Sequence, residues 1–223
     1  MNTTTFDIQL VSETNSGAAL SRRVQSIVAV ALKRVIDVVG ASLGLLLLSP
    51  VLLLAALAIV IENPGSPLFQ QKRGGYRGAA FVIFKFRSMR VSENGADVVQ
   101  AQQGDHRVTR VGAFLRRTSI DELPQLLNVL RGEMSLVGPR PHALLHDEYY
   151  GQRISGYNGR FRAKPGLTGL AQTSGLRGAT PDVASMAARV NKDLEYIRNW
   201  SLMLDVVILL RTLRIVTIQP DGY

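Results

Sequence analysis

The sequence predicts an α/β monotopic membrane protein with a re-entrant helix-break-helix, a small β-hairpin or sheet, and several further helices, some of them amphipathic and interfacial. Three observations predict this class. An uncharged apolar run extends from Val38 to Ile61, with Ser49 and Pro50 near its middle. Short apolar stretches flank a glycine-rich turn, as in a hairpin. Leucines recur at the spacing of one buried helix face around Pro124, namely Leu123, Leu126, Leu127 and Leu130.

The apolar run is about 24 residues long, which is enough to cross a bilayer as a helix. Pro50 removes one helical hydrogen bond, and the hydroxyl of Ser49 can satisfy the carbonyl that is freed. Basic residues flank both ends, namely Arg22, Arg23, Lys33, Arg34, Lys72, Arg73 and Arg77. Because positive flanks favour the cytoplasmic side, we expect the run to enter and leave the membrane on one face. A single spanning helix is the alternative, and a buried core helix is disfavoured by the lack of polar residues.

Length and charge bound the organisation of the chain. We expect residues 1–21 to be a flexible leader, because they are polar and lack the basic start of a secretory signal. Residues 22–63 form the membrane segment, and 64–223 form one further domain. The formal charge of +9 predicts an anionic partner, which could be nucleic acid, an acidic leaflet or a phosphorylated substrate. The absence of cysteine excludes disulfides, thiolate nucleophiles and cysteine-ligated zinc.

A strand is predicted from Phe81 to Met89, where side chains alternate between two faces. Lys85 and Arg87 then project from the same face. Two adjacent cations suit a diphosphate, and a solvated strand face is the open alternative. The polar stretch from Ser92 to Gln103 predicts a surface helix or loop.

The acidic pair Asp121 and Glu122 precedes a predicted helix that ends at Gly132. Pro124 must lie in the first turn of that helix, so the pair lies at or beside its N-terminus. The partial positive charge there keeps an aspartate ionised and attracts phosphate, which suits a carboxylate that attacks phosphorus. Asp is also a preferred N-cap residue, and Ser119 with Glu122 matches a capping box, so a structural role stays open.

Three motifs occur in order along the chain: Lys85-Phe-Arg-Ser-Met, the block from Arg116 to Pro141 that contains Asp121-Glu-Leu-Pro-Gln, and Lys164-Pro-Gly-Leu-Thr-Gly-Leu-Ala-Gln. They closely resemble the bacterial sugar transferase family, the monotopic phosphoglycosyl transferases that begin exopolysaccharide, capsule and O-antigen synthesis. The resemblance extends from Ala31 to the C-terminus, and the middle block is long and specific.

This resemblance implies transfer of a hexose-1-phosphate from a UDP-sugar to undecaprenyl phosphate, with Mg²⁺ as cofactor. Asp121 matches the family's nucleophile, which would attack the sugar-bearing β-phosphate and release UMP. Glu122 matches its partner carboxylate, and both carboxylates are expected metal ligands. The basic residues expected at substrate phosphates are Lys85, Arg87, Arg116, Arg140 and Arg177.

The resemblance also implies a location and a sugar class. The Ser49–Pro50 run resembles the family's re-entrant helix, which would place 64–223 as a catalytic domain at the cytoplasmic face of the bacterial inner membrane. Membrane lipids are expected partners, and nucleic acid is not. The ending from Asn199 resembles members that transfer glucose or galactose, but Leu176 and Ala179 replace the Trp and Glu often found in them. The exact sugar and the oligomeric state are left open.

Two rival functions remain from the sequence. A membrane-tethered basic module that binds anionic lipid or nucleic acid without catalysis would explain the charge but not the acidic pair. A related transferase could instead use an N-acetylated or bacillosamine-type sugar. His142 and His146 have a spacing that can bind metal on a helix, but without a third convergent ligand a surface helix is the preferred interpretation.

Overall fold

The computed structural model describes residues 4–90 and 104–218, with side chains placed for 27–90 and 104–216. The chain divides into two compact units, one ending at Ile36 and the other beginning at Asp37. The first element, α1, runs from Thr4 to Glu62 and crosses this division. The predicted boundary between a leader and a membrane segment lies within α1 and stays a prediction. The predicted surface helix or loop from Ser92 to Gln103 lies outside the described residues.

Helix α1 continues through Ser49 and Pro50. Proline at position 50 cannot donate to the carbonyl of Leu46, and the hydroxyl of Ser49 donates to that carbonyl instead, at 2.8 Å. The predicted hydrogen bond of the Ser49 hydroxyl is therefore present, and the segment is not divided into two helices at Pro50. The re-entrant path through a membrane stays a prediction.

One helical segment among the described residues, Ile27–Glu62, is long and apolar enough to cross a membrane. Only 11% of its most apolar window is buried in the protein. Large apolar side chains on it, such as Leu47 and Leu53, are more than 70% exposed. A core helix of a soluble protein buries such residues, so this helix indicates association with a membrane.

A β-hairpin follows α1 and packs against its second half. Strands β1 (Leu68–Gly74) and β2 (Ala80–Phe86) pair in antiparallel register around a short 3-10 turn, Tyr76–Gly78. Ala41 of α1 packs with Phe81 and Ile83 of β2. The hairpin and its glycine turn were predicted and are confirmed.

The central block of the chain forms three consecutive helical pieces: α2 (Arg110–Thr118), a 3-10 helix (Ile120–Gln125) and α3 (Leu126–Arg131). The carboxylate of Glu62, the last residue of α1, accepts hydrogen bonds from the backbone N–H groups of Arg110 and Val111. These N–H groups have no partner within α2, so Glu62 satisfies them and fixes the start of α2 at the end of α1.

Two short strands and four helices complete the described chain. β3 (Ser135–Val137) and β4 (Gly166–Thr168) pair in parallel. The helices are α4 (Leu144–Gly151), α5 (Leu170–Thr173), α6 (Val183–Arg198) and α7 (Leu202–Ile218), with a 3-10 helix at Tyr157–Arg162. A core of Val137, Leu170, Tyr196 and Ile208 joins the sheet to α6 and α7. The fold is thus α/β with mostly helices, as predicted.

Candidate active site

The acidic pair lies in the first turn of the 3-10 helix Ile120–Gln125. Helix α2 ends at Thr118, and the left-handed backbone of the next residue, Ser119 (φ 60°), redirects the chain into this turn. Left-handed backbone is uncommon for a residue with a side chain and often marks a functional site. The predicted position of the acidic pair at a helix start and the stop at Gly132 are confirmed.

The helix start differs from the regular α-helix that the leucine spacing predicts. The predicted buried face contained Leu123, Leu126, Leu127 and Leu130, but Leu127 is 38% exposed, while Asn128 and Val129 are fully buried. A 3-10 helix turns once in three residues, so the following residues rotate relative to a continuous α-helix. The prediction for Leu127 was therefore wrong.

Asp121 is 9% exposed, and its carboxylate accepts no hydrogen bond from any residue that the structure describes. Burial, followed by repulsion from the neighbouring Glu122, raises its pKa to about 6. Lys85, Arg116 and Arg140 oppose this shift by stabilising the ionised form. At neutral pH the group is thus mostly ionised and unpaired, as a nucleophile must be.

Glu122 has the opposite environment. Its Oε1 accepts a hydrogen bond from Lys85 Nζ at 2.8 Å, and the guanidinium of Arg140 donates to both oxygens, at 2.7 and 3.2 Å. Burial by itself would raise the pKa of Glu122, but Arg140 and Lys85 hold it well below its usual range. Two adjacent carboxylates thus have pKa values shifted in opposite directions, an arrangement found where such groups have different roles.

The structure does not support the capping alternative for this pair. The N-cap position of the 3-10 helix is Ser119, and no side-chain cap hydrogen bond is formed there. The Ser119 hydroxyl instead accepts a hydrogen bond from the guanidinium of Arg177. Asp121 lies inside the first turn and not at the N-cap, and the Glu122 carboxylate bonds Lys85 and Arg140, so neither the N-cap aspartate nor the capping box is formed.

Four of the five predicted basic residues lie around the acidic pair. Lys85 and Arg140 contact Glu122 directly, Arg177 contacts Ser119, and Arg116 interacts electrostatically with Asp121 while donating to Met89 Sδ at 3.6 Å. Burial lowers the pKa of Lys85, and Glu122 opposes that shift.

Arg87 is placed elsewhere. Its guanidinium donates to the backbone carbonyls of Asn63 and Pro64, just after α1. The structure therefore does not bring Arg87 to the acidic pair with Lys85, although both belong to one motif. These two hydrogen bonds hold the hairpin to the end of α1.

Two buried polar residues near the site, Asn128 and Arg160, were not singled out as site residues by the sequence. Asn128 bonds the backbone of β2 through the N–H of Phe84 and the carbonyl of Val82, which fixes the strand that carries Lys85. Arg160 donates to the carbonyl of Arg140 and to Asp193. Burial of a polar side chain can be recognised only from the fold, and no spacing pattern indicates it.

His142 also differs from its prediction. It is 5% exposed and bonded to Tyr157 and Arg160, and α4 begins only at Leu144. The surface-helix interpretation of the histidine pair is therefore wrong for His142. Burial, together with nearby arginines, holds its pKa well below the ordinary value, so it is neutral at pH 7.

Mg²⁺ can be tested against the donors present. No group of three His, Asp or Glu side chains converges within residues 27–90 and 104–216. Mg²⁺ is often held by one or two carboxylates together with substrate phosphates. Asp121 offers such a carboxylate, whereas both oxygens of Glu122 are bonded to cations. The site fits Mg²⁺ through Asp121, and Glu122 would have to exchange a protein cation to join it.

Comparisons with known proteins agree with this geometry. The family model described as bacterial sugar transferase matches residues 28–219. The UDP-glucose:undecaprenyl-phosphate glucose-1-phosphate transferase of Caulobacter vibrioides is 59% identical over 191 residues, covering 86% of this chain and 72% of the relative. The protein of the same name in Escherichia coli is 55% identical over 181 residues, covering 81% of this chain.

The match is partial for the longer relatives, because the chain spans only 39% of the Escherichia coli protein. A UDP-N-acetylgalactosamine-undecaprenyl-phosphate N-acetylgalactosaminephosphotransferase of Aeromonas hydrophila is 40% identical over 183 residues, and the chain spans 43% of it. The family match nevertheless covers most of this chain, including the acidic pair and the basic residues around it. The chain therefore belongs to the bacterial sugar transferase family and is a transferase.

Proposed function

We propose that the protein transfers a hexose-1-phosphate from a UDP-hexose to undecaprenyl phosphate through a covalent intermediate on Asp121. The observation that carries this proposal is the contrast within the acidic pair. Asp121 is buried, ionisable near neutral pH and unpaired among the described residues, whereas Glu122 is held by Lys85 and Arg140.

In the first step a carboxylate oxygen of Asp121 attacks the sugar-bearing β-phosphorus of the UDP-hexose. The bond from that phosphorus to the bridging oxygen breaks, and UMP leaves with the electron pair. The product is an acyl phosphate that carries the sugar. Desolvation favours this attack, because a buried carboxylate has less hydration to lose than one in water.

In the second step an oxygen of undecaprenyl phosphate attacks the same phosphorus. The acyl–phosphorus bond breaks, Asp121 regains its carboxylate, and undecaprenyl diphosphate hexose is released. Since the donor's UMP leaves before the acceptor reacts, the kinetics are ping-pong. No proton needs to be stored on the enzyme between the steps.

Basic side chains around the pair are suited to hold the phosphates. Arg140 and Lys85 bond Glu122, Arg116 interacts electrostatically with Asp121, and Arg177 donates to the Ser119 hydroxyl. Fixed cations stabilise charge that develops on phosphate oxygens in phosphoryl transfer. Mg²⁺, when bound at Asp121 and the substrate, would supply further neutralisation of that charge.

Membrane association fits the lipid acceptor. The exposed leucines of α1 are suited to contact lipid tails, and the second half of α1 packs on the hairpin that carries Lys85. A re-entrant α1 with both ends cytoplasmic would place the site at the cytoplasmic face of the inner membrane, where UDP-sugars are made. The re-entrant path and the cytoplasmic face are both parts of the proposal.

Glucose is the sugar that we propose first, because four of the similar proteins share a name that specifies it. A second candidate is an N-acetylhexosamine, since the Aeromonas hydrophila relative is named for N-acetylgalactosamine. The non-catalytic binding module is disfavoured, because the chain belongs to an enzyme family.

Purified protein in detergent with undecaprenyl phosphate and Mg²⁺ tests the proposal. UMP release is measured with UDP-glucose, UDP-galactose and UDP-N-acetylgalactosamine, beside an Asp121→Asn variant. We expect release from wild type with UDP-glucose as the best donor, and none above background from the variant. Release from the variant at the wild-type rate would exclude Asp121 as the nucleophile, and a better N-acetylated donor would favour the second candidate.

A further inference from the structure

Arg160 forms a buried polar centre next to the backbone of Arg140. It lies in the 3-10 helix Tyr157–Arg162 and is only 4% exposed. Its Nε donates to Asp193 Oδ2 at 2.9 Å, its Nη1 lies 2.9 Å from His142 Nδ1, and its Nη2 donates to the carbonyl of Arg140. These contacts join three separate segments: the loop after β3, the 3-10 helix and α6.

The contact to Arg140 acts on a backbone that is already restricted. Pro139 and Pro141 limit the conformations on each side of Arg140. The carbonyl of Pro139 accepts a hydrogen bond from the N–H of Gly166 at 2.9 Å. Arg160 holds the next carbonyl along the chain. Both peptide groups that flank the Cα of Arg140 are thus anchored, and this fixes the direction in which its side chain leaves the backbone.

The guanidinium of Arg160 is itself held by Asp193 and His142. Asp193 is 1% exposed and lies in the middle of the 16-residue helix α6. His142 is buried and uncharged, so its ring nitrogen can accept a hydrogen bond from the guanidinium. A buried ion pair adds little net stability compared with apolar packing, so stability alone does not explain the pair of Arg160 and Asp193.

We propose that Arg160, held by Asp193, is a positioning residue that sets where the guanidinium of Arg140 meets Glu122 and the substrate phosphate. This inference rests on the proposed function for its catalytic consequence. The structural consequence, the placement of Arg140 against Glu122, does not depend on the proposed function, because this contact exists in the protein without substrate. No hydrogen bond or ion pair joins Arg160 to Asp121 or Glu122, so it acts through Arg140.

The test replaces Arg160 by lysine, which keeps the charge opposite Asp193 but cannot make the three separate contacts. Arg189→Lys is the matched control. Arg189 is 5% exposed and also donates to backbone carbonyls, those of Leu176 and Gly178. Both substitutions are made in wild type and in an Arg140→Lys background, and melting temperatures are recorded for all. Asp193→Asn, which keeps Arg160, serves if Arg160→Lys does not fold.

The first readout needs no activity. A water-soluble carbodiimide and an amine label accessible carboxyl groups, and peptide fragmentation locates the label on Glu122. Release of Arg140 exposes Glu122, so we expect Arg160→Lys to raise this labelling at least about threefold, a factor within the usual coupling between contacting groups. In the Arg140→Lys background, Arg160→Lys should not raise the labelling of Glu122 further. Arg189→Lys should not raise it in wild type or in the Arg140→Lys background.

The second readout is kcat/KM for UMP release. We expect Arg160→Lys to lower it at least about tenfold in wild type but less than about threefold in the Arg140→Lys background. Arg189→Lys should change kcat/KM by the same factor in wild type and in the Arg140→Lys background. Equal effects of Arg160→Lys in both backgrounds, or labelling no higher than in the control, would overturn the inference. Absence of UMP release from wild type would count against the proposed function instead, and labelling would still decide the role of Arg160.

Discussion

Arg140 and Glu122 are joined by two hydrogen bonds, with the guanidinium donating to Oε1 at 2.7 Å and to Oε2 at 3.2 Å. This bidentate contact links the loop after β3 to the 3-10 helix that carries the nucleophile candidate. Lys85 reaches the same carboxylate from β2. Three segments that are distant in sequence therefore meet on one side chain, and Glu122 organises the site as well as neutralising its cations.

Replacing Glu122 by glutamine should destabilise the protein strongly. Lys85 and Arg140 would both lose the charge that compensates their burial, and the removal of one partner from a buried ion pair typically costs about 3–5 kcal/mol. We expect Glu122→Gln to lower the free energy of unfolding by about 3 kcal/mol, measured by denaturant or thermal unfolding in detergent.

Glu195→Gln is the matched control for this change. Glu195 pairs with Lys192 at 2.8 Å, the distance of the Lys85 contact, but both side chains are at least 40% exposed. Exposed pairs contribute no more than about 1 kcal/mol, so this variant should be close to wild type. Equal losses in the two variants would mean that the pair at Glu122 is not desolvated.

The activity should fall on the acid side with an apparent pKa near 6. Burial and the negative neighbour Glu122 raise the pKa of Asp121 to about 6, and only the ionised carboxylate attacks phosphorus. Below that pH each unit should reduce kcat/KM for UMP release about tenfold. A profile that stays flat down to pH 4.5 would show that Asp121 has an ordinary pKa or that another group is the nucleophile.

Asp121→Asn should be inactive yet more stable than wild type near pH 8. A carboxyl group whose pKa rises on folding from 3.8 to about 6 opposes folding when ionised. This cost is absent below pH 3.8, grows as the pH rises to about 6, and is complete above it. At 1.36 kcal/mol per pKa unit it reaches at most about 3 kcal/mol.

The stability gain of this variant should therefore depend on pH. We expect a higher melting temperature than wild type at pH 8, and a difference that shrinks toward pH 4. A variant that is less stable than wild type at pH 8 would contradict the raised pKa. The test is independent of catalysis, since neither protein needs a substrate.

The strands β3 and β4 lie so close together that Gly166 should not tolerate a side chain. A Cβ on Gly166 would lie 2.0 Å from the backbone N of Gly138, so Gly166→Ala must separate β3 from β4. A Cβ on Gly178 meets nothing within 4 Å, and its φ is not in the left-handed region. We expect Gly166→Ala to cost at least about 2 kcal/mol of unfolding free energy and Gly178→Ala to cost less than about 0.5.

Equal stability of the two glycine variants in the same unfolding assay would show that the strands can separate at no cost. The comparison also bears on the site, because β3 leads into Arg140 and the N–H of Gly166 holds the Pro139 carbonyl. Loss of activity in Gly166→Ala beyond the loss of folded protein would show that this hydrogen bond helps to position Arg140.

The local sequence pattern was sufficient to predict the hairpin, the end of the helix at Gly132 and the position of the acidic pair at a helix start. Glycine turns and proline positions restrict the backbone where they stand, so they can be interpreted from sequence. The change from α2 to a 3-10 helix was not predictable in the same way. It depends on the left-handed Ser119, a conformation that most serines avoid, and it moves Leu127 out of the buried face.

Long-range contacts account for the remaining differences. Arg87 and Lys85 share one motif and one predicted face, yet Arg87 bonds the carbonyls after α1 while Lys85 bonds Glu122. Which cation meets the acidic pair depends on how the hairpin packs between α1 and the 3-10 helix. The roles of Asn128 and Arg160 depend likewise on partners more than 15 residues away, which no local pattern specifies.

The central claim is a covalent phospho-sugar on Asp121, and the most direct test leaves out the acceptor. Purified protein is mixed with UDP-glucose and Mg²⁺ alone, UMP is quantified at early times, and the protein is digested and sequenced by mass spectrometry. Our account predicts a burst of about one UMP per active site, a hexose phosphate on Asp121, and transfer of that group when undecaprenyl phosphate is added. UMP release only after the acceptor is added, with no modified aspartate, would contradict it and indicate direct transfer between the two substrates.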